Sequence, residues 1–551
     1  MPDVPAADLV LTGGTVHTVT GTSGQALAVH GGRVVAMGTD EDVRALGGPR
    51  ARRIDLDGRT VVPGFVDAHV HPISAGLTLA TCSLGEAGDA GDARRLVAEY
   101  AAANPDVPWI SGGGWSMEWF PGGTPSRTVL DEVVPDRPVL LSNRDGHGAW
   151  ANSMALRLAG IDARTPDPAD GRIEREPDGG PQGTLHEGAV DLVAHLQPVP
   201  DEDALLAALL LAQDHLHSLG ITGWQDAIVG NYGNLPDVLD TYLRAAHAGL
   251  LIGRVVGALW WDRHRGIEQV PDLVARRAAA GGAAGTGRFR ATSVKIMQDG
   301  VAENFTAGML NPYLDACGCQ TANRGLSYID PALLDEAVRL LDGEGFQLHL
   351  HAIGDRAARE VLDALEKARA ANGANDQRHH IAHLQVVHPD DVRRFRKLGV
   401  AANLQALWAH HEPQMDELTI PFLGPERAGR QYPFADLLAG GARLCAGSDW
   451  PVSTADPLQA MHVAVTRQPP GEPGVEPLLP SQRLSPTAFL HAYTTGSAWI
   501  NHAEADTGSL VPGMLADLAV LDADPLAVPH DRIADISVTA TFVGGEQVFA
   551  S

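Results

Sequence analysis

Eight short apolar runs, each apt for a buried strand, recur along this chain: Val61-Asp67, Ile221-Asp226, Ile252-Leu259, Ala291-Met297, Phe346-His351, His380-His383, Val400-Leu404 and Ala442-Ala446. Most are followed by a stretch of helical period, such as Leu235-Ala248, Pro331-Gly343, Arg356-Ala371, Pro389-Leu398 and Pro457-Thr466. Strands alternating with helices build a parallel sheet, and eight such units close it into a barrel. The fold class expected is therefore α/β, a (β/α)8 TIM barrel.

Two parts of the chain do not fit the repeat. Residues 72-220 are too long for one βα connection, so an inserted lobe is expected after strand 1, with strand-like pieces at Trp109-Gly112 and Val139-Ser142. Leaving from the C-terminal end of that strand, it would arch over the barrel mouth. Both ends of the chain have β texture: Leu9-Thr12, Thr15-Thr18, Ala26-His30 and Arg33-Gly38 before the barrel, and Gly508 to Phe549 after it. They predict one composite β domain flanking the barrel. The expected division is 1-62 for its first part, 63-500 for the barrel with its lobe, and 501-551 for its second part.

Histidines gather where barrel chemistry is done. His69 and His71 follow the first run, and an i, i+2 pair on a strand points to one face and can grip one ion. Lys295 lies in the fourth run, His351 ends the fifth, His383 ends the sixth, and Asp449 follows the eighth. An H-x-H alone means little, but six such residues at the C-terminal rim of the strands point to a metal centre. An ammonium cannot be a ligand, whereas a buried lysine that loses its proton can add CO2 and become a carbamate. The alternative for Lys295 is an ion pair with Asp299. His349 competes with His351, and His379, His380, His410 and His411 exceed what one site needs.

The order H-x-H, Lys, His, His, Asp over strands 1, 4, 5, 6 and 8 resembles the amidohydrolase superfamily. Pro63-Gly64-Phe65-Val66-Asp67-Ala68-His69-Val70-His71, Val294-Lys295-Ile296, Asp299-Gly300, His351-Ala352-Ile353-Gly354-Asp355 and Gly447-Ser448-Asp449-Trp450-Pro451-Val452 resemble its type 3 subgroup, which includes N-substituted formamide deformylases. Asp145-Gly146-His147 with Asn152-Ser153, and the tail from Gly508 to Asp524, extend the resemblance over nearly the whole chain.

The resemblance implies a (β/α)8 barrel, a flanking β-sandwich built from both termini, and a mono- or binuclear divalent-metal site. His69 and His71 take the first metal, a carbamate on Lys295 bridges, His351 and His383 take the second, and Asp449 is ligand and proton shuttle. It implies hydrolysis of a carbon–nitrogen bond, of amide or formamide type, by metal-activated hydroxide. Zinc suits the mixed imidazole and carboxylate set best, though manganese, iron and cobalt are tolerated. Trp115, His147 and Trp450 are the candidates for binding substrate, and Trp260-Trp261 forms either an aromatic wall or a seal between barrel and helix. A deaminase, a lactone or ester hydrolase, an isomerase, and an inactive binding scaffold are the alternatives.

A formal net charge of −27, from 41 Lys+Arg against 68 Asp+Glu, argues against a nucleic-acid partner, leaving a small molecule as the expected one. No apolar run is long enough to span a membrane, Met1 to Val10 lacks the features of a signal peptide, and the four cysteines are too scattered for a disulfide framework. Cytoplasmic residence is expected, and base rates favour a homodimer. Cys317-Gly318-Cys319 has no second pair with which to complete a zinc site and reads as two loop thiols.

Overall fold

A computed structural model describes residues 5–283 and 287–551. Residues 1–4, the beginning of the N-terminal stretch considered above, lie outside it. Its centre is an eight-stranded parallel sheet in sequential order: β1 (Phe65–Val70), β2 (Ile221–Val229), β3 (Arg254–Trp260), β4 (Phe289–Met297), β5 (Gln347–Ala352), β6 (His380–His383), β7 (Ala401–Leu404) and β8 (Arg443–Ala446). The strands are rich in Val, Ile, Leu and Ala, and six of the eight have every residue buried or all but one, as both faces of a helix-wrapped sheet require.

The last strand meets the first without a ladder of strand hydrogen bonds. The seam is closed just past β8, where Asp449 N–H donates to His69 O at 2.8 Å. Gly447 has to be glycine, because a Cβ there would lie 2.5 Å from the backbone nitrogen of His69.

The first apolar run needs correction: Val61-Asp67 is not one barrel strand. Thr60–Pro63 belongs to a flanking sheet, and the barrel strand begins at Phe65. Pro63 ends the first of these segments, and Gly64 packs so closely on Thr222 that a Cβ would come within 2.3 Å of its hydroxyl. The period of the sequence cannot show such a change of sheet, because both segments are apolar and buried.

Two sheets flank the barrel. One pairs Arg33–Gly38, Ala26–His30, Ala7–Thr12 and Gly47–Asp55, and the other pairs Thr15–Val16, Thr60–Pro63, Leu518–Leu521, Val538–Val543 and Glu546–Ala550. Strands from both ends of the chain thus share the second sheet, and Leu9, Leu11, Val29, Val61, Leu518 and Phe542 form an apolar core common to both. The Gly508-Gly513 stretch, read as β texture, forms no strand.

After β1 comes α1 (Pro72–Ala80), which lies on α2 (Glu202–Ser218); Gly76 permits the contact, since a Cβ would meet Ala208 O at 2.1 Å. Between these helices the inserted segment folds around a six-stranded sheet, far more than two strand-like pieces, ordered Gly171–Arg175, Pro181–Glu187, Gly148–Ala151, Val139–Asn143, Ile110–Trp115 and Cys82–Ser83. No described helix is long and apolar enough to cross a membrane.

Arg254 at the start of β3 ties barrel to sandwich, with Nε 2.5 Å from Asp517 Oδ2 and Nη2 3.0 Å from Oδ1. Asp517 is buried and also accepts from Gly544 N–H. Asp517→Ala strands the guanidinium and is expected to cost about 3 kcal/mol, lowering the thermal midpoint by roughly 2–4 °C in a calorimetric scan. An unchanged midpoint would show that this pair does not fasten the two layers.

Candidate metal centre

The imidazoles of β1, β5 and β6 converge with one carboxylate at the C-terminal mouth of the barrel. His69 occupies the penultimate position of β1, His71 follows that strand, and the two rings lie 5.3 Å apart, almost perpendicular. Asp449 Oδ1 approaches His71 Nε2 at 2.9 Å and His69 Nε2 at 3.2 Å, while Oδ2 lies 3.8 Å from His383 Nδ1. Ligand atoms of His69, His383 and Asp449 all fall within 4.8 Å of one another. All three residues are buried.

Lys295 rises from β4 beneath them, its Nζ 3.4 Å from His69 Nε2. The alternative pairing with Asp299 is not formed. Asp299 instead receives His351 Nδ1 at 3.1 Å and the amides of Ile353, Gly354 and Gly308, which orients the His351 ring. His349, two residues earlier, lies deeper, with Nε2 2.7 Å from His69 Nδ1, and its ring packs on His380. His351 is therefore the member of that pair at the rim.

Burial dominates the electrostatics. It lowers the pKa of Lys295 to about 7, so the amine sheds its proton far more readily than an exposed one. His69 falls to about 3 through burial and the nearby Lys295, and burial with the neighbouring His351 keeps His383 neutral. For Asp449 burial acts upward, but His69 and His71 outweigh it and hold the carboxyl well below its usual range. Neutral imidazoles and an ionised carboxylate are the forms that bind metal. His383 Nδ1, though buried, has no hydrogen-bond partner among the described residues, and Asp449 Oδ1 is met only by the imidazoles of His69 and His71. This orphaned nitrogen and the N/O donor set fit a divalent cation.

Above the centre opens a cavity of about 1480 Å³, walled in part by the inserted lobe. Of the three residues expected to meet substrate, His147 and Trp450 line it. His147 is fixed by Nδ1 to Glu187 Oε2 at 2.9 Å, and its ring lies 5.8 Å from that of His351. Burial opposes its protonation, yet Glu187 more than compensates and raises its pKa to about 9. Trp450 stacks on His215.

Trp115 is a correction. It is wholly buried in the lobe's own core against Phe120 and Trp150, and its indole N–H donates to Leu141 O. Side chains alternate along its strand, so Gly114 and Ser116 face the cavity instead.

Trp119 and Trp408 are aromatic walls that sequence reasoning missed, the latter stacked within 4° of parallel on His383. Trp260 and Trp261 divide the two roles foreseen for them: the first lines the cavity and the second is sealed in the core. Glu187, the partner of His147, had no signal in the sequence, being 40 residues away. Of the surplus histidines, His410 lines the cavity, His379 and His411 pair with Asp342 and Asp416, and His380 is buried under the site.

Comparison with known proteins decides the relationship, since residues 52–549 match the model of the Amidohydrolase family. The chain belongs to that family. Protein LONG AFTER FAR-RED 3 of Arabidopsis thaliana is 32% identical, over 98% of this chain and 92% of its own. N-substituted formamide deformylase of Arthrobacter pascens is 29% identical, over 98% and 97%. An uncharacterized metal-dependent hydrolase from Pyrococcus horikoshii superposes with a TM-score of 0.72 at 25% identity, over 95% of this chain and 99% of that one.

The two lobe tryptophans should behave differently. Trp115→Ala opens a cavity in a packed core and is expected to cost about 3–5 kcal/mol, seen as a lower thermal midpoint. Trp119→Ala, at the cavity wall, is expected to move KM with little change in midpoint. The reverse pattern would return Trp115 to the substrate wall.

Proposed function

We propose that this member of the Amidohydrolase family is a metal-dependent hydrolase acting on an amide- or formamide-type carbon–nitrogen bond of a small molecule. The observation that carries the reading is the buried convergence of His69, His383 and Asp449, with His383 Nδ1 lacking a hydrogen-bond partner among the described residues. The formamide deformylase and the metal-dependent hydrolase support it by similarity over nearly the full chain.

His69, His71, His351, His383 and Asp449, with a carbamate on Lys295, would hold one or two divalent ions, for which zinc is the metal proposed. An ion held there supplies Lewis acidity, which polarises a carbonyl and lowers the pKa of water from roughly 15.7 to about 7. The rest of the chemistry belongs to the chain. The Lys295 amine, readily neutral at about pH 7, is suited to adding CO2. Asp449 accepts a proton from the attacking water and returns it to the leaving amine, the two halves of general acid–base catalysis on one carboxylate. His147, braced by Glu187, presents Nε2 to the substrate, while Trp408 and Trp450 screen the reacting bond from bulk water. We place the activity in the cytoplasm and in a homodimer.

The test is a panel of N-substituted formamides, N-acyl amines and amino acids, lactones and phosphoesters. The expected result is turnover of formamides or amides that a chelator abolishes and zinc restores. Asp449→Asn is expected to lower kcat by about a hundredfold or more. Chelator-sensitive turnover confined to lactones or phosphoesters would replace the bond assignment, and chelator-insensitive turnover would defeat the metal reading. Separately, Lys295→Ala is expected to reduce bound metal, measured by elemental analysis; undiminished metal would remove the carbamate from the proposal.

A further inference from the structure

At the opposite end of the barrel, where the strands begin, a second cavity of about 260 Å³ lies among the entries to β6, β7 and β8. Arg369 from the end of α3 (Asp355–Asn372), Arg378 ahead of β6, Arg396 from α4 (Pro389–Leu398) and Arg443 at the first position of β8 all border it. Four arginines bordering one small cavity, against two carboxylates, Asp342 and Asp376, are unexpected in a chain whose acids outnumber its bases by 27.

The acidic groups beside them are largely engaged. Asp376 and Glu504 both bind Arg378, and Asp342 is taken up by His379, Asn372 and Asn375. Arg369, Arg396 and Arg443 form no ion pair among the described residues. Arg369 is anchored by one contact, Nη1 to Leu398 O at 2.9 Å, which leaves the rest of its fork uncommitted. The Arg443 guanidinium lies 4.0 Å above the Trp499 ring, and the same ring has Arg378 at 4.8 Å. An indole holding two guanidiniums positions them without neutralising either. Arg396 is steered by close packing on Gly441, where a Cβ would meet its Cδ at 2.6 Å.

The geometry points to a binding site for a small oxyanion, phosphate or carboxylate, at this N-terminal face, separate from the metal centre. Planar guanidinium forks match either anion through paired N–H···O bonds, and Arg369, Arg396 and Arg443, none of them in an ion pair among the described residues though Arg443 also acts on Asp376, supply both charge and donors. The cavity's small size suits a compact anion or the anionic end of a metabolite.

Inorganic phosphate and succinate, titrated separately into the metal-loaded protein by calorimetry, distinguish the two sources of that chemistry. Saturable binding of one or both is expected, with the tighter probe naming the class. The Kd is expected to weaken at least tenfold in Arg396→Ala/Arg443→Ala, whose folding is checked by its thermal midpoint. The single variant Arg396→Gln, at an exposed position, is expected to weaken it in part. Asp449→Asn, at the other end of the barrel, is expected to leave the Kd unchanged. No saturable binding of either probe, an equal Kd in the arginine variants, or binding lost in Asp449→Asn instead would overturn the proposal.

Discussion

The arrangement at the barrel mouth hangs on one buried carboxylate, Asp67. Lying in β1 and wholly excluded from solvent, it accepts hydrogen bonds from His69 N–H at 3.0 Å, Ser448 N–H at 3.1 Å and Tyr493 hydroxyl at 3.2 Å. The first fixes the strand that carries His69; the second pins the turn that carries Asp449. First and last strands are joined by no ladder among the described residues, so this side chain, the Gly447 contact and the Asp449 N–H to His69 O bond together close the barrel and set the centre. Burial drives the Asp67 pKa up to about 7, against the pull of those hydrogen bonds.

The same desolvation prepares the chemistry. A water-filled mouth would leave Lys295 cationic and the histidines open to protonation. At the rim, burial keeps His69 and His383 neutral and loosens the Lys295 proton, while Asp449 keeps its charge. The inserted lobe contributes to that closure. It brings His147 and Glu187 over the rim, and Arg144 joins it to the loop after β7 through Glu412 and Gln414. Chemistry at the rim is thereby tied to a segment outside the barrel repeat.

Much of this was legible in the chain. Eight apolar runs, their helices and the rim positions of His69, His71, Lys295, His351, His383 and Asp449 could be read because barrel strands are local, repeated and buried on both faces. The residues that failed were those whose surroundings are remote. Trp115 follows three glycines, which suggest a loop at the pocket, yet alternation along its strand turns it into the lobe core, and Trp119 and Trp408 took the walls.

The sequence by itself determined the repeat, the identity of the groups at the strand ends and the length of the insertion, all carried by local spacing and residue type. Only the tertiary structure decided which of these groups meet. Asp299 chose His351 over Lys295, Glu187 chose His147, and Thr60–Pro63 left the barrel for a sheet completed from the other end of the chain. Each depends on contacts among segments tens to hundreds of residues apart, whose distances are set by barrel closure and burial, and no local pattern encodes them.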